Sequence, residues 1–510
     1  MEVMGDAGVE EDAAAWARDD AMTPRSPSDP RGDAPPVQDA AFDDSSAEDP
    51  HTDDPPTEDP PVEDPPAEDP PTCTPSTESC NGLDDDCDGA VDEGLATDHG
   101  VFAGCGNYRG LLDEALAQLD RNAGGASRYY APTSAEIDGV VHAVPALIAR
   151  AELYRNTRGV PLPLGTRRRI LDQAVAQADA FVALEVSRSS AVRAARSTAG
   201  RSHGCRGWVD SAETATVGQY TTGQVLYGLS TLSRAIYEDP PPSGRAAFLS
   251  KAASYHDLVG EVIDHWMDEA QPNHFFTADE PAGRAHWFCD TEDRASCVRS
   301  DGQRLVKWNK QSWTWRAVAV WNDVANDHRG MGTTYRRIRA MRFTRWMKAD
   351  MTSSSSPWSD SSPYVWHAWA DHARTWTYIE DASHGAWDVG LMVDAWRGDW
   401  REWDVDDTRR IMGPGSAGRF RHTYMDNLAR PDACVWRLTD GSHGDLLITG
   451  RRSALSEWVG VAAGDQAFLS ELQEDITGSC EGYVLSASSA PRAVLGITRL
   501  FVEARAIRGE

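Results

Sequence analysis

From residue 106 onward, apolar side chains recur at intervals of three and four. Leu112, Ala115, Leu116 and Leu119 form one stripe. Ile137, Val140, Val141, Val144, Leu147 and Ile148 form another, interrupted by Pro145. Residues at this spacing share one face of an α-helix, so each stripe predicts an amphipathic helix with that face buried. Ile170, Leu171, Ala174, Val175, Ala178, Phe181 and Val182 predict a third helix, for which Thr166 has the side chain of an N-cap. Val225, Leu226, Leu229, Leu232 and Ile236 predict a fourth. Similar patterns run through 248–268, 310–326, 334–350, 364–374, 385–397, 453–474 and 490–507. Strand-like alternation is scarce, and segments rich in Gly, Pro, Ser and Trp at 187–210, 270–307 and 351–363 read as loops.

The first 105 residues have a different texture. Residues 1–72 are poor in apolar side chains and rich in Asp, Glu, Pro, Ala and Ser, culminating in DPHTDDPPTEDPPVEDPPAEDPP. Such a segment buries too little surface to offset chain entropy, and paired prolines with repelling charges favour an extended spacer. The formal charge is −31 over 510 residues. Thirty acidic residues and three arginines fall in the first hundred positions, leaving the remainder nearly balanced at 50 acids and 46 bases. No basic surface is implied, so nucleic acid is not an expected partner. No apolar run is long enough to span a bilayer, and residues 1–20 lack the apolar segment of an export signal. Either the chain is cytosolic or its true start lies upstream; the leader suits an extracellular or cell-surface protein and favours the second expectation. The expected organisation is a leader at 1–72, a Cys-bounded Asp-rich segment at 73–105, and a helical domain at 106–510.

The nine cysteines contain no C-x-x-C pair, so neither a zinc ribbon nor a redox motif is indicated. The simplest local disulfides are Cys80–Cys87, Cys289–Cys297 and Cys434–Cys480, with Cys73–Cys105 possible in spacing. Cys205 is then the odd thiol. Residues 80–94 read CNGLDDDCDGAVDEG. Asp84, Asp86 and Asp88 alternate before Gly89, with Asp92 and Glu93 following, as in the first half of an EF-hand loop. The usual final Glu is replaced by Leu95. Hard carboxylate ligands favour Ca2+, in a structural role; another metal, and a loop held by its disulfide without metal, are the alternatives. The segment resembles the CNGxDDDCDGxxDEG motif of bacterial secreted proteins known as MopE-type. The copper association of that group does not follow here, since the loop has neither His nor Met.

The helical part holds about ten to twelve predicted helices, too many for a four-helix bundle, and shows no fixed repeat for a solenoid. A mainly α fold built as a ring of antiparallel helix hairpins, an α/α toroid, is the expected architecture. WNKQSWTWRAVAVWND, SPYVWHAW and YIEDASHGAWDVGLMVDAW, in that order, resemble inner-helix segments of α/α-toroid proteins, a group that includes six-hairpin glycosidases and alginate-lyase-like polysaccharide lyases. The resemblance implies an activity on polysaccharide.

Candidate chemistry points the same way. Fifteen of the 19 tryptophans fall between Trp266 and Trp403. Indole faces stack on the C–H faces of sugars, although they also fill helical cores. Trp313, Trp315, Trp366, Trp369 and Trp387, with Gln311 and Arg316, are candidate substrate contacts. Glu380, Asp381, His384 and Asp388 cluster in YIEDASHGAWD, where a His–carboxylate pair or two carboxylates suit acid–base work. In a uronate lyase Asn309 would neutralise the substrate carboxylate and Tyr378 or His384 would move the proton. Glu213 is a further candidate acid, and His422 and Tyr424 are expected at a cleft edge. A helix cap and structural polar pairs are the competing explanations, and GSHGD at 441–445 repeats the Ser-His-Gly element. No phosphate loop, H-E-x-x-H, G-x-S-x-G or dinucleotide fingerprint occurs, and no organic cofactor is expected. The expectation is a monomeric, extracellular carbohydrate-active enzyme, a lyase or glycoside hydrolase. The alternatives are a non-catalytic surface protein that binds a polysaccharide, a cell-surface glycan or another partner, and a purely structural one.

Overall fold

The computed structural model describes residues 106–123, 140–202, 204–211, 213–268, 275–280, 283–289, 291–292, 305–331, 351–353, 364–365, 369–371, 382–397, 420–428, 452–462 and 490–508, with 340, 343–344, 347, 468–469, 472 and 476. The leader and the Asp-rich segment, with Asp84, Asp86, Asp88, Asp92 and Glu93, lie outside the described residues.

The described chain is mainly helical. Its helices are α1 (Gly106–Ala123), α2 (Val140–Asn156), α3 (Thr166–Leu184), α4 (Ser190–Thr198), α5 (Gln219–Glu238), α6 (Arg245–Met267), α7 (Trp308–Arg329), α8 (Ala382–Arg397) and α9 (Ala490–Arg508), with a 3-10 segment at Arg452–Ala462. The buried residues of α3 and α5 include the predicted stripes, Ile170 to Phe181 and Val225 to Ile236. Pro145 does not end α2. It lies in the second turn, where its missing N–H removes one intrahelical bond. Thr166 is the first residue of α3 and not its cap. Gly165 takes that place at φ 83°, a left-handed conformation that glycine adopts without strain.

Three expectations are corrected. The segment read as a loop from 187 contains α4, whose cap is Ser189 Oγ accepting from Val192 N at 3.2 Å. The segment 270–307 contains an antiparallel hairpin, β1 (Phe275–Glu280) with β2 (Gly283–Phe288), in register Phe275↔Phe288 to Glu280↔Gly283. The segment 364–374, read as a helix, instead supplies two short strands. The strand β3 (Leu305–Lys307) pairs with β6 (Trp369–Asp371), and β4 (Thr352–Ser353) with β5 (Tyr364–Val365). Aromatic and β-branched residues such as Tyr364 and Val365 favour an extended chain, and pairing with a distant strand outweighed local helical spacing.

The helices pack in a definite order. α2 packs on α5, α5 on α7, α7 on α8, α8 on the 3-10 segment, the 3-10 segment on α9, and α9 back on α2. The series of six contacts closes on itself. α1 lies against α9, α3 against α2 and α5, and α6 against α5 and α7. One continuous apolar core runs through them, from Leu111 to Ala504. Among the described residues, no helix is long and apolar enough to cross a membrane.

Candidate functional site

The first turns of α5, α7 and α8 are organised from behind. Gln311 is fully buried, and its amide accepts from Phe288 N at 2.9 Å and donates to Phe288 O at 2.8 Å, pinning the end of β2 to α7. Ser312 donates to Asp388 at 2.7 Å, joining α7 to α8. Gln219 donates to Thr314 Oγ1 at 2.6 Å, joining α5 to α7. β3 runs directly into α7, and β6 pairs with it so that Trp369 lies opposite Lys307. At the entry to α5, Arg196 and Glu292 form a buried ion pair at 2.6 Å, and the Glu292 backbone N–H donates to Val217 O at 3.1 Å.

Three aromatic rings meet over these turns. Tyr220 of α5 and Trp387 of α8 are 4.8 Å apart between centroids, tilted by 34°. Trp387 lies 6.4 Å from Trp313 of α7, which lies 5.4 Å from Tyr227. Tyr220 and Trp387 are half-buried. Trp313 is only 4% exposed, and its indole Nε1 has no hydrogen-bond partner among the described residues; nor do Gln219 Oε1 and Gln224 Oε1. Burial of a polar atom without a partner costs about 1–3 kcal/mol, and other such atoms occur elsewhere in the core, Ser230 Oγ on α5, Trp315 Nε1 on α7 and Thr498 Oγ1 on α9 among them.

Beneath the rings lies a charged hub. The Arg316 guanidinium sits 4.3 Å from the Tyr227 ring centre and 4.7 Å from that of Trp313, between two π faces. It binds Asp394 of α8 at 2.6 Å, and lies 2.7 Å from Glu457 of the 3-10 segment as an ion pair without hydrogen-bond alignment. Glu457 also holds Arg499 of α9 at 2.5 Å, and Arg499 holds Glu152 of α2 at 3.0 Å. With Tyr227 on α5, each of the six elements in the packing cycle contributes one residue. Burial pulls the Arg316 pKa down, but Asp394 and Glu457 outweigh it and the guanidinium is held charged. Burial pushes the Tyr227 phenol up, against the opposing pull of Arg316, so it stays neutral and accepts from Arg316 at 3.0 Å.

The candidate residues divide accordingly. Trp313 and Trp387 come together. Asn309 and His384 belong to the first turns of α7 and α8, and their side chains lie outside the described residues. So does the side chain of Trp369. Tyr378, Glu380, Asp381 and Trp366 also lie outside them. Four candidates have other work. Gln311 anchors β2, and Asp388 is fully buried against Ser312. Trp315 is fully buried between Phe288 at 4.9 Å and Phe343 at 5.5 Å. Arg316 is buried in the hub and paired twice. Glu213 stands exposed in a turn ahead of α5. Tyr424 lies not at a cleft edge but in the core against Trp458 and Phe468, within a π-helical turn at Thr423–Leu428. Cys289 is disulfide-bonded, and Cys205 is a buried thiol outside any disulfide, its pKa pushed up by burial.

Tyr220, Gln224 and Tyr227 were missed as site residues. Their signal was present, because the spacing of four and three puts a polar and aromatic stripe on α5 opposite the apolar one. Asp394, Glu457, Arg499 and Glu152 gave no signal, since each is an ordinary charged residue on a helix until its partner arrives. Compared with protein-family models and with curated proteins, the chain matches none.

Proposed function

We propose that the closed packing cycle is the inner wall of an α/α toroid, and that the protein is a polysaccharide-acting enzyme whose ligand lies on Tyr220, Trp313 and Trp387. The observation that carries this reading is the meeting of three aromatic rings from three helices over unsatisfied buried polar atoms. Rings take the C–H faces of a sugar, and polar atoms take its hydroxyls. Tyr378, Glu380 and Asp381 immediately precede α8 in sequence, and His384 is in its first turn. The residue types needed for proton transfer therefore belong to the same end of α8 as Trp387. Secretion, and calcium in the Asp-rich segment, are part of the same proposal and rest on sequence alone.

The test is a panel of neutral and uronate polysaccharides read as unsaturated product by ultraviolet absorbance and as reducing ends. Both signals identify a lyase; reducing ends alone identify a glycoside hydrolase. Trp387→Ala is expected to lower kcat/KM at least about tenfold, the size of one lost stacking contact. Binding without turnover converts the reading to a glycan-binding protein. Absence of both sinks it.

A further inference from the structure

We infer that Gln224 Oε1 and Trp313 Nε1 form a hydroxyl-binding subsite at the base of this aromatic cluster, an inference that rests on the glycan reading above. Gln224 is 2% exposed, and neither atom has a hydrogen-bond partner among the described residues. Gln224 lies on the α5 stripe one turn after Tyr220, which meets Trp387, and one turn before Tyr227, which meets Trp313. The neighbouring Gly223 lets α5 approach so closely that a Cβ there would stand 3.2 Å from Trp313 Cβ. The two side chains thus belong to one contact zone between α5 and α7.

Their chemistry selects the ligand group. The indole N–H only donates, and the amide oxygen only accepts. A hydroxyl satisfies both at once, accepting from Trp313 and donating to Gln224. A carboxylate can only accept, so it would leave Gln224 Oε1 facing negative charge. The Arg316 charge below is already matched by Asp394 and Glu457. The subsite therefore reads a sugar hydroxyl and not a uronate carboxylate.

The full-length protein is titrated with soluble gluco-, manno- and xylo-oligosaccharides and one uronate oligomer, alongside Gln224→Leu, Trp313→Phe and Trp387→Ala, and each variant is also melted. Gln224→Leu and Trp313→Phe are each expected to weaken binding about tenfold, the loss of one hydrogen bond, with Tm unchanged or raised because an unsatisfied atom is gone. Wild-type protein should lose the same factor towards one monodeoxy ligand, to which the two variants then become indifferent. This arm needs no variant to fold. If Trp387→Ala abolishes binding while Gln224→Leu and Trp313→Phe bind normally, the subsite fails and the glycan reading stands. A fall in Tm with unchanged binding means the atoms hold a structural water, and also overturns the subsite. If no oligosaccharide binds the wild type, both fail.

Discussion

Arg316 shows how much one buried charge depends on its partners. It is 1% exposed and Glu457 is 2% exposed, whereas Asp394 keeps about a quarter of its surface. The guanidinium is tolerable there because two carboxylates, a phenol oxygen and two aromatic faces replace its lost hydration. Arg316→Leu strands Glu457 with only Arg499 for compensation and releases Trp313 from the cation beneath it. We expect a loss of about 3–5 kcal/mol in urea unfolding, the range for breaking one side of a buried pair. Arg316→Lys should recover only part of it, since an ammonium lacks the planar fork that reaches Asp394, Glu457 and Tyr227 together. Wild-type stability in the leucine variant would mean that the hub is dispensable.

At the scale of elements, close approach between packed helices is set by glycine. A Cβ at Gly223 would meet Thr314 Oγ1 at 2.5 Å and the Thr314 backbone N at 2.9 Å. At Gly390 it would run into the Arg316 guanidinium and the Glu457 carboxylate. Helix propensity alone predicts that Gly223→Ala stabilises α5 by about 1 kcal/mol. The backbone atom of α7 cannot step aside, so we expect the opposite sign, a loss of about 1–3 kcal/mol as for other overpacked cores. Denaturant midpoints decide between them, and a gain would show that α5 and α7 have slack. The strands teach a related lesson. β6 was read as part of a helix, because its partner β3 lies more than sixty positions earlier and propensity carries no information about such pairing.

Over the whole molecule, the helical cycle is closed by ion pairs between residues far apart in sequence. Arg499 reaches Glu152 across 347 positions, and Arg155 reaches Glu238 across 83. Glu238 also takes Arg234 at 2.7 Å. Burial raises the Glu238 pKa, but Arg155 and Arg234 outweigh it and the net shift is downward. The unfolded chain therefore takes up this proton at a higher pH than the folded one. Stability from Glu238 is complete above the unfolded carboxylate value, near about 4.3, and is lost as pH falls through the lowered folded value. Glu238→Gln should be less stable at neutral pH yet lose less on acidification, so its urea midpoint should approach that of wild type as pH falls below about 4. Parallel acid limbs would show that this closure contributes no linkage.

The sequence by itself determined the mainly helical character of the described residues from 106 onward and the buried faces of α3 and α5, because periodicity of three to four is a local property that burial then enforces. It also marked Trp313 and Trp387 as residues of interest, by their clustering. It did not separate Trp387, which keeps part of its surface, from Gln311, Trp313, Trp315 and Asp388, which have the same local texture and are buried. Only the tertiary structure decided that, and it alone brought Tyr220 to Trp387, set Gln224 beside them, and assembled Glu152, Tyr227, Arg316, Asp394, Glu457 and Arg499 into one hub. The physical reason is that a charge or a ring has no assigned role until its partner is fixed in space, and these partners lie on helices joined only by packing.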